Sequence, residues 1–247
     1  MSKNSKNVGD QIKAERASWT FDGDIASNFD SHVSKSVPGY TEGHEIIESL
    51  SDFFLTKDGA YVVDIGSSTG SLLNKLLFRH KNKKLNFIGI EPSKEMSKVA
   101  EKKISRNSQN SNISTNFYSA DFLEHEIKNK VSIYISYYTM QFIHTSVRQN
   151  YIDKIYKTLD WGGALFLFEK IRAPDARFQD YMTQVYNDFK IRNGYSIEEV
   201  YKKTESIRGV LEPFSEAGNI DLFKRAGFKD FTTIYHNICF RGWLIVK

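Results

Sequence analysis

Apolar positions along this chain follow two rhythms. The runs at 61–65, 87–90 and 164–168 are nearly continuous, the pattern of strands covered on both faces. Between them, apolar residues recur every three or four positions, as one buried helix face requires. The pattern predicts strand 60–65, helix 69–79, strand 85–91, helix 93–105, strand 114–119, strand 131–137, helix 147–159 and strand 163–169. Strands alternating with helices argue for βαβ units and a parallel sheet.

The flanks read differently. Residues 1–17 are polar, basic and poor in apolar side chains, so they are expected to be a flexible tail. Residues 23–35 show helical spacing through Ile25, Phe29 and Val33, and Ser36-Val-Pro-Gly-Tyr40 punctuates a turn. A second helix runs through Ile46, Ile47, Leu50 and Phe53. Beyond the fifth strand, 174–210 reads as one or two amphipathic helices broken at Asn193-Gly194-Tyr195, followed by a helix at 217–226. The runs 230–236 and 238–246 predict an antiparallel pair that closes the sheet. The segment 174–212 is therefore expected as a helical cover over the carboxyl ends of the strands, where open α/β sheets bind ligands. Residues 18–247 are expected to form one domain.

Composition narrows the class. The 247 residues are 40% apolar and 14% aromatic, enough for one large packed core. No apolar stretch approaches the ~20 residues of a membrane span, and the N-terminus lacks an apolar signal core. A cytoplasmic protein without membrane contact is expected. The one cysteine, Cys239, sits in an apolar run and reads as a buried thiol; with six scattered histidines, no metal site is expected. A net charge of +4 does not require nucleic acid, and the basic stretch 79–84 reads as a solvated loop.

The chemistry concentrates at strand ends. Asp64-Ile-Gly66-Ser-Ser-Thr-Gly70 follows the first strand, so the backbone turns through two glycines into a helix. Such a turn brings main-chain N–H groups close to a ligand. The spacing is not that of a dinucleotide loop, and an acid ahead of Gly66 repels phosphate. It suits a cationic amine or sulfonium, and S-adenosylmethionine carries both. Asp64 would orient its amino-acid end, and Gly66 and Ser67 would let the backbone pass close to it. Glu91 would accept from the ribose hydroxyls, Asp121 from the adenine amino group, and Phe122 would pack on the ring.

Asp64-x-Gly66-x-x-x-Gly70, Glu91 and Ala120-Asp121 resemble the S-adenosylmethionine-dependent methyltransferase superfamily with a seven-stranded, Rossmann-like sheet. Such a sheet is mostly parallel, with helices on both faces and an antiparallel C-terminal strand. A closer likeness runs nearly end to end. Trp19-Thr-Phe-Asp22, Ser36-Val-Pro-Gly-Tyr40, Thr139-Met-Gln-Phe142, Glu169-Lys170, Asp188-Phe-Lys190 and Asn193-Gly-Tyr-Ser196 are similar to segments of the bacterial carboxy-S-adenosylmethionine synthases. The resemblance implies that Tyr40, Gly66, Ser67, Ser68, Glu91, Asp121 and Phe122 contact the nucleoside, with Gly70 completing the loop, and that the protein is a homodimer. Two positions depart from it. Tyr137 stands where the family has asparagine. Thr204 stands where the family has the arginine that pairs with the ligand's extra carboxylate, with Arg208 one helical turn on.

The strand ends also supply candidate bases: Tyr137, Tyr138, Gln141, His144 and Glu169, of which Tyr137, His144 and Glu169 are the chosen catalytic residues. Three functions compete. The first is methyl transfer to a small-molecule acceptor, favoured by Thr204. The second is synthesis of carboxy-S-adenosylmethionine with prephenate as carboxyl source, for tRNA wobble-uridine modification. The third is a nucleoside- or RNA-binding module without catalysis, supported only by the loop at 79–84.

Overall fold

The computed structural model describes residues 25–108 and 111–247, together with Lys6–Asn7 and Lys13–Ala14, which pair antiparallel. The rest of the expected tail at 1–17, and the segment around Trp19, lie outside the described residues. Seven strands form one sheet: β1 (Ala60–Ile65), β2 (Leu85–Ile90), β3 (Ile113–Tyr118), β4 (Val131–Tyr137), β5 (Leu159–Lys170), β6 (Asp230–Asn237) and β7 (Phe240–Val246). Their spatial order is β3-β2-β1-β4-β5-β7-β6, with β7 and β6 antiparallel to their neighbours and the rest parallel.

Adjacent strand residues point to opposite faces, and each face has its own core. Val62, Ile133 and Phe166 enter one cluster with Ile47, Leu72 and Leu76. Val63, Tyr134 and Leu165 enter the other with Tyr151, Phe223 and Trp243. Full burial of such side chains contributes roughly 1.5–3 kcal/mol each. This explains why the strands read as unbroken apolar runs. The helices are α1 (Ile25–Ser36), α2 (Tyr40–Leu50), α3 (Ser71–Arg79), α4 (Lys94–Asn107), α5 (Arg148–Thr158), α6 (Ala176–Arg192), α7 (Ile197–Ser206) and α8 (Glu216–Ala226).

Local chemistry sets their starts. The Ser93 hydroxyl accepts from Met96 N–H at 3.3 Å, and Asp175 caps α6 through Phe178 N–H. Ser196 and Glu199 form a reciprocal capping box at α7. The break expected at 193–195 is the turn between α6 and α7, where Gly194 has φ of 96°. β5 starts four residues earlier than the apolar run suggests. Leu159 pairs with Val131, the register then slips, and exposed Trp161 and Gly162 loop outward before pairing resumes at Ala164. No helix among the described residues is long and apolar enough to cross a membrane.

The chain leaves β1 for β2 on one side and β4 lies on the other. Strand order reverses there, so a crevice opens at the carboxyl ends of β1 and β4.

Candidate active site

A cavity of about 880 Å³ fills this crevice. Its floor is the glycine turn. Gly66 N–H donates to Ile90 O at 2.7 Å, and its φ of 72° is one only glycine adopts freely. A Cβ there would also collide with the Thr139 side chain. Ser68 is left-handed too, at φ 49°. This tight path turns its N–H toward Glu91, whose Oε2 accepts at 3.0 Å, while Oε1 accepts from Ser93 N–H at 2.9 Å. Glu91 is thus a fixed carboxylate, as a ribose acceptor requires.

Asp64 is 3% exposed, and no hydrogen bond or ion pair among the described residues engages its carboxyl group. Burial, and then the neighbouring Glu91 charge, push its carboxyl up to about 7. Asp121 lines the cavity just beyond the end of β3, but the Tyr151 hydroxyl, 2.7 Å from both its oxygens, already donates to the carboxylate, and Oδ1 also accepts from Leu123 N–H. Phe122 lines it as well, with its ring packed on Tyr134, on Tyr151 and under the Lys154 ammonium.

An aromatic wall continues from Tyr40. Its ring stacks on Tyr138 at 6.2 Å and meets Tyr137 and His44 at 5.1 and 4.7 Å. The Tyr137 hydroxyl donates to Tyr40 O at 2.5 Å. Burial first, then neighbouring tyrosines, hold that phenol well above its ordinary range, so it stays protonated. Burial pushes His44 down to about 3, so it is neutral. His44 Nε2, Tyr138 Oη and Ser67 Oγ are buried with no hydrogen-bond partner among the described residues, and all three residues line the cavity. Orphaned polar atoms of this kind fit a polar ligand.

The structure therefore brings together Tyr40, Asp64, Gly66, Ser67, Ser68, Glu91, Asp121, Phe122 and Tyr137, with His144 at the lining too. Gly70 does not line the cavity. It opens α3 at φ 71°, packed against Ala100 where a side chain would not fit. Nor does Glu169, which accepts from Met140 N–H at 3.0 Å and caps that turn. Burial, opposed by Arg148, raises its carboxyl to about 8. His144 is exposed and caps the turn at Thr145–Val147 through Ser146. Arg208 is exposed and absent from the lining, whereas Thr204 is part of it.

Part of the lining is basic, which the sequence reading missed. Lys170 at the end of β5, Lys190 on α6 and Lys203 on α7 all line the cavity. Burial, then Lys170, lowers Lys190 to about 8. Burial likewise lowers Lys170, and burial followed by Lys190 lowers Lys203. The local Glu169–Lys170 pair that adjacency suggests does not form: consecutive strand residues face opposite ways. One clue was present, since Tyr186 and Lys190 are spaced to share a helix face.

Part of the enclosure is fastened by Asp30 on α1. Its carboxylate accepts from Thr69 Oγ1 at 2.6 Å, Ser71 Oγ at 2.8 Å and Lys103 Nζ at 2.9 Å. Burial alone would raise Asp30, but these bonds outweigh it and hold the carboxyl low.

Comparison with known proteins places this geometry. The family described as "Methyltransferase domain" matches residues 62–163. The carboxy-S-adenosyl-L-methionine synthase of Staphylococcus epidermidis is 38% identical over 230 residues, 93% of this chain and 97% of that one. The protein of the same name from Campylobacter lari is 33% identical over 229 residues, 93% and 94% of the two chains. Among solved structures, the plantazolicin methyltransferase BpumL, in complex with a triazolic desmethylPZN analogue and SAH, superposes with a TM-score of 0.63 at 14% identity. It covers 91% of this chain and 92% of that one.

Proposed function

The chain belongs to the carboxy-S-adenosyl-L-methionine synthase family, and on that premise we propose that it carboxylates the methyl carbon of S-adenosylmethionine, with a small organic acid as carboxyl source. It is an S-adenosylmethionine-dependent transferase. The observation that carries the reading is the split polarity of one cavity. Asp64 and Glu91 form an acidic wall, and Lys170, Lys190 and Lys203 form a basic one. A ligand cationic at one end and carboxylated at the other satisfies both.

The acidic wall positions the nucleoside. Glu91, held by two backbone N–H groups, accepts from the ribose diol. Asp64 faces the cationic amino-acid end, and burial strengthens that attraction because little water screens it. Asp121, held by Tyr151, accepts from the adenine edge, and Tyr40 covers the pocket beside Tyr137. When bound, the cofactor supplies a sulfonium whose adjacent methyl carbon is the reacting centre. The protein supplies position and a dry, charged enclosure. A C–C bond forms at that carbon as a C–H bond breaks; the donor acid loses its C–C bond to the carboxyl carbon, the pair so freed expels its hydroxide, and that hydroxide takes the methyl proton and leaves as water, so the basic wall has an acid substrate to hold as well as charge to balance.

Methyl transfer to a small acceptor is the second reading, favoured by threonine at position 204. Incubation with S-adenosylmethionine and prephenate decides between them by mass spectrometry. A product heavier than the cofactor by one CO₂ supports the synthase. Its absence at every enzyme concentration, with the cofactor bound, sinks it.

A further inference from the structure

We propose that Lys170 and Lys190, both set against the ring of Tyr186, form a carboxylate-binding subsite. The proposal rests on the carboxyl-transfer reading above.

The pair has the marks of a built site. Lys190 is 6% exposed. Its Nζ lies 4.4 Å from the Tyr186 ring centroid, and Lys170 Nζ lies 4.5 Å from the same centroid. Both ammonium groups thus lie against one ring in a region of low water access. No carboxylate among the described residues forms an ion pair with either one. The ring's negative face offsets part of that cost but leaves the ammonium protons without acceptors of full charge. A buried charge normally has an opposite charge beside it, and the cavity is where that partner can sit.

The scaffold around the pair is rigid. Tyr186 hydroxyl donates to Ser36 O at 2.8 Å, and its ring meets Phe240 edge-on at 5.2 Å. Lys170 N–H donates to Gln141 Oε1 at 2.8 Å, fixing the backbone from which its side chain departs. Thr204 cannot serve instead. Its hydroxyl donates to Val200 O at 3.0 Å and carries no charge. Two point charges from separate elements would grip a carboxylate from two directions, where an arginine fork grips it from one. The ligand chemistry is therefore a carboxylate, supplied either by the carboxylated sulfonium product or by the acid that donates the carboxyl group.

Titration calorimetry distinguishes these sources, using Lys190→Met, Lys170→Met and Lys190→Arg in the full chain. The probes are S-adenosylmethionine, carboxy-S-adenosylmethionine and prephenate. Each methionine variant is expected to bind at least one carboxylated probe tenfold or more weakly, with S-adenosylmethionine held within threefold, and Lys190→Arg should restore most of the loss. A loss confined to carboxy-S-adenosylmethionine assigns the product carboxylate; a loss confined to prephenate assigns the donor. The proposal is overturned if all three affinities fall together, if neither carboxylated affinity changes, or if the unaltered protein binds neither carboxylated probe. Failure of the carboxyl-transfer reading registers separately, as absence of product from the unaltered enzyme, because the binding measurements need no turnover.

Discussion

Replacing Asp64 with asparagine should stabilise the ligand-free protein, and by more the higher the pH. In the fold this carboxyl titrates near 7, against 3.8 for the free side chain. The folded state therefore keeps a proton that the unfolded chain has lost between those values. Stability is fully present below about pH 4 and falls as pH rises through 7. Each pH unit is worth about 1.36 kcal/mol, so the whole window of roughly three units amounts to about 4 kcal/mol. About 3 kcal/mol of that falls between pH 5 and 8. Asparagine has the same shape and does not titrate, so subtracting the two stability curves isolates this one group. Urea unfolding of both proteins at half-unit steps from pH 5 to 8.5 reads it. The gap in favour of Asp64→Asn should widen up to about pH 7.5 and then level. The same variant should bind S-adenosylmethionine more weakly at pH 8, because the charge that destabilised the empty site is the one that attracts the cation. A gap independent of pH, or one that narrows as pH rises, would refute the burial argument. Glu91 is the second cause of the shift, so in a Glu91→Gln background the widening should move to lower pH.

Three further outcomes follow from the geometry. Glu91→Ala should remove measurable S-adenosylmethionine binding by calorimetry. It deletes the ribose acceptor together with the two backbone ties at Ser68 and Ser93, and charge-assisted bonds worth about 1.5–3 kcal/mol each imply a loss of at least ~100-fold; unchanged affinity contradicts the pocket. The affinity for carboxy-S-adenosylmethionine relative to S-adenosylmethionine should fall about tenfold per pH unit above about 8, as Lys190 loses its proton in the empty site. Lys170, Lys203, Tyr186 and Cys239 share its surroundings, and a ratio flat from pH 7 to 9.5 excludes Lys190 from the subsite. Asp30→Ala should speed dissociation of S-adenosylhomocysteine about tenfold or more by stopped-flow, since it frees α1 from three donors; an unaltered rate means that α1 is not the way out.

The fold was legible because this sheet is buried on both faces. Val62-Val63 and Leu165-Phe166 feed opposite cores, so strands announced themselves as unbroken apolar runs. The acidic residues were legible too, since Asp64, Glu91 and Asp121 each lie at or just beyond the end of a strand, and a strand end fixes where a side chain goes. The basic wall was hidden for the complementary reason. Lys190 and Lys203 lie in amphipathic helices, where a lysine ordinarily marks the solvated face, and only the folding of α6 and α7 over β5 turns them inward. Glu169 misled by adjacency: beside Lys170 and at a strand end it looked like a base, but the pleat sends it to cap the turn at Met140. Asp30 gave no signal, because its partners Thr69, Ser71 and Lys103 lie far along the chain.

Tyr186 joins two parts of the molecule that otherwise have separate duties. Its hydroxyl is fastened to Ser36 at the end of α1, and Asn193 at the end of α6 reaches Lys35 O beside it. Its ring carries the two ammonium groups. The end of α1 and the two ammonium groups therefore share one anchor, so a side chain that fixes the nucleoside end of the cavity also fixes its basic end.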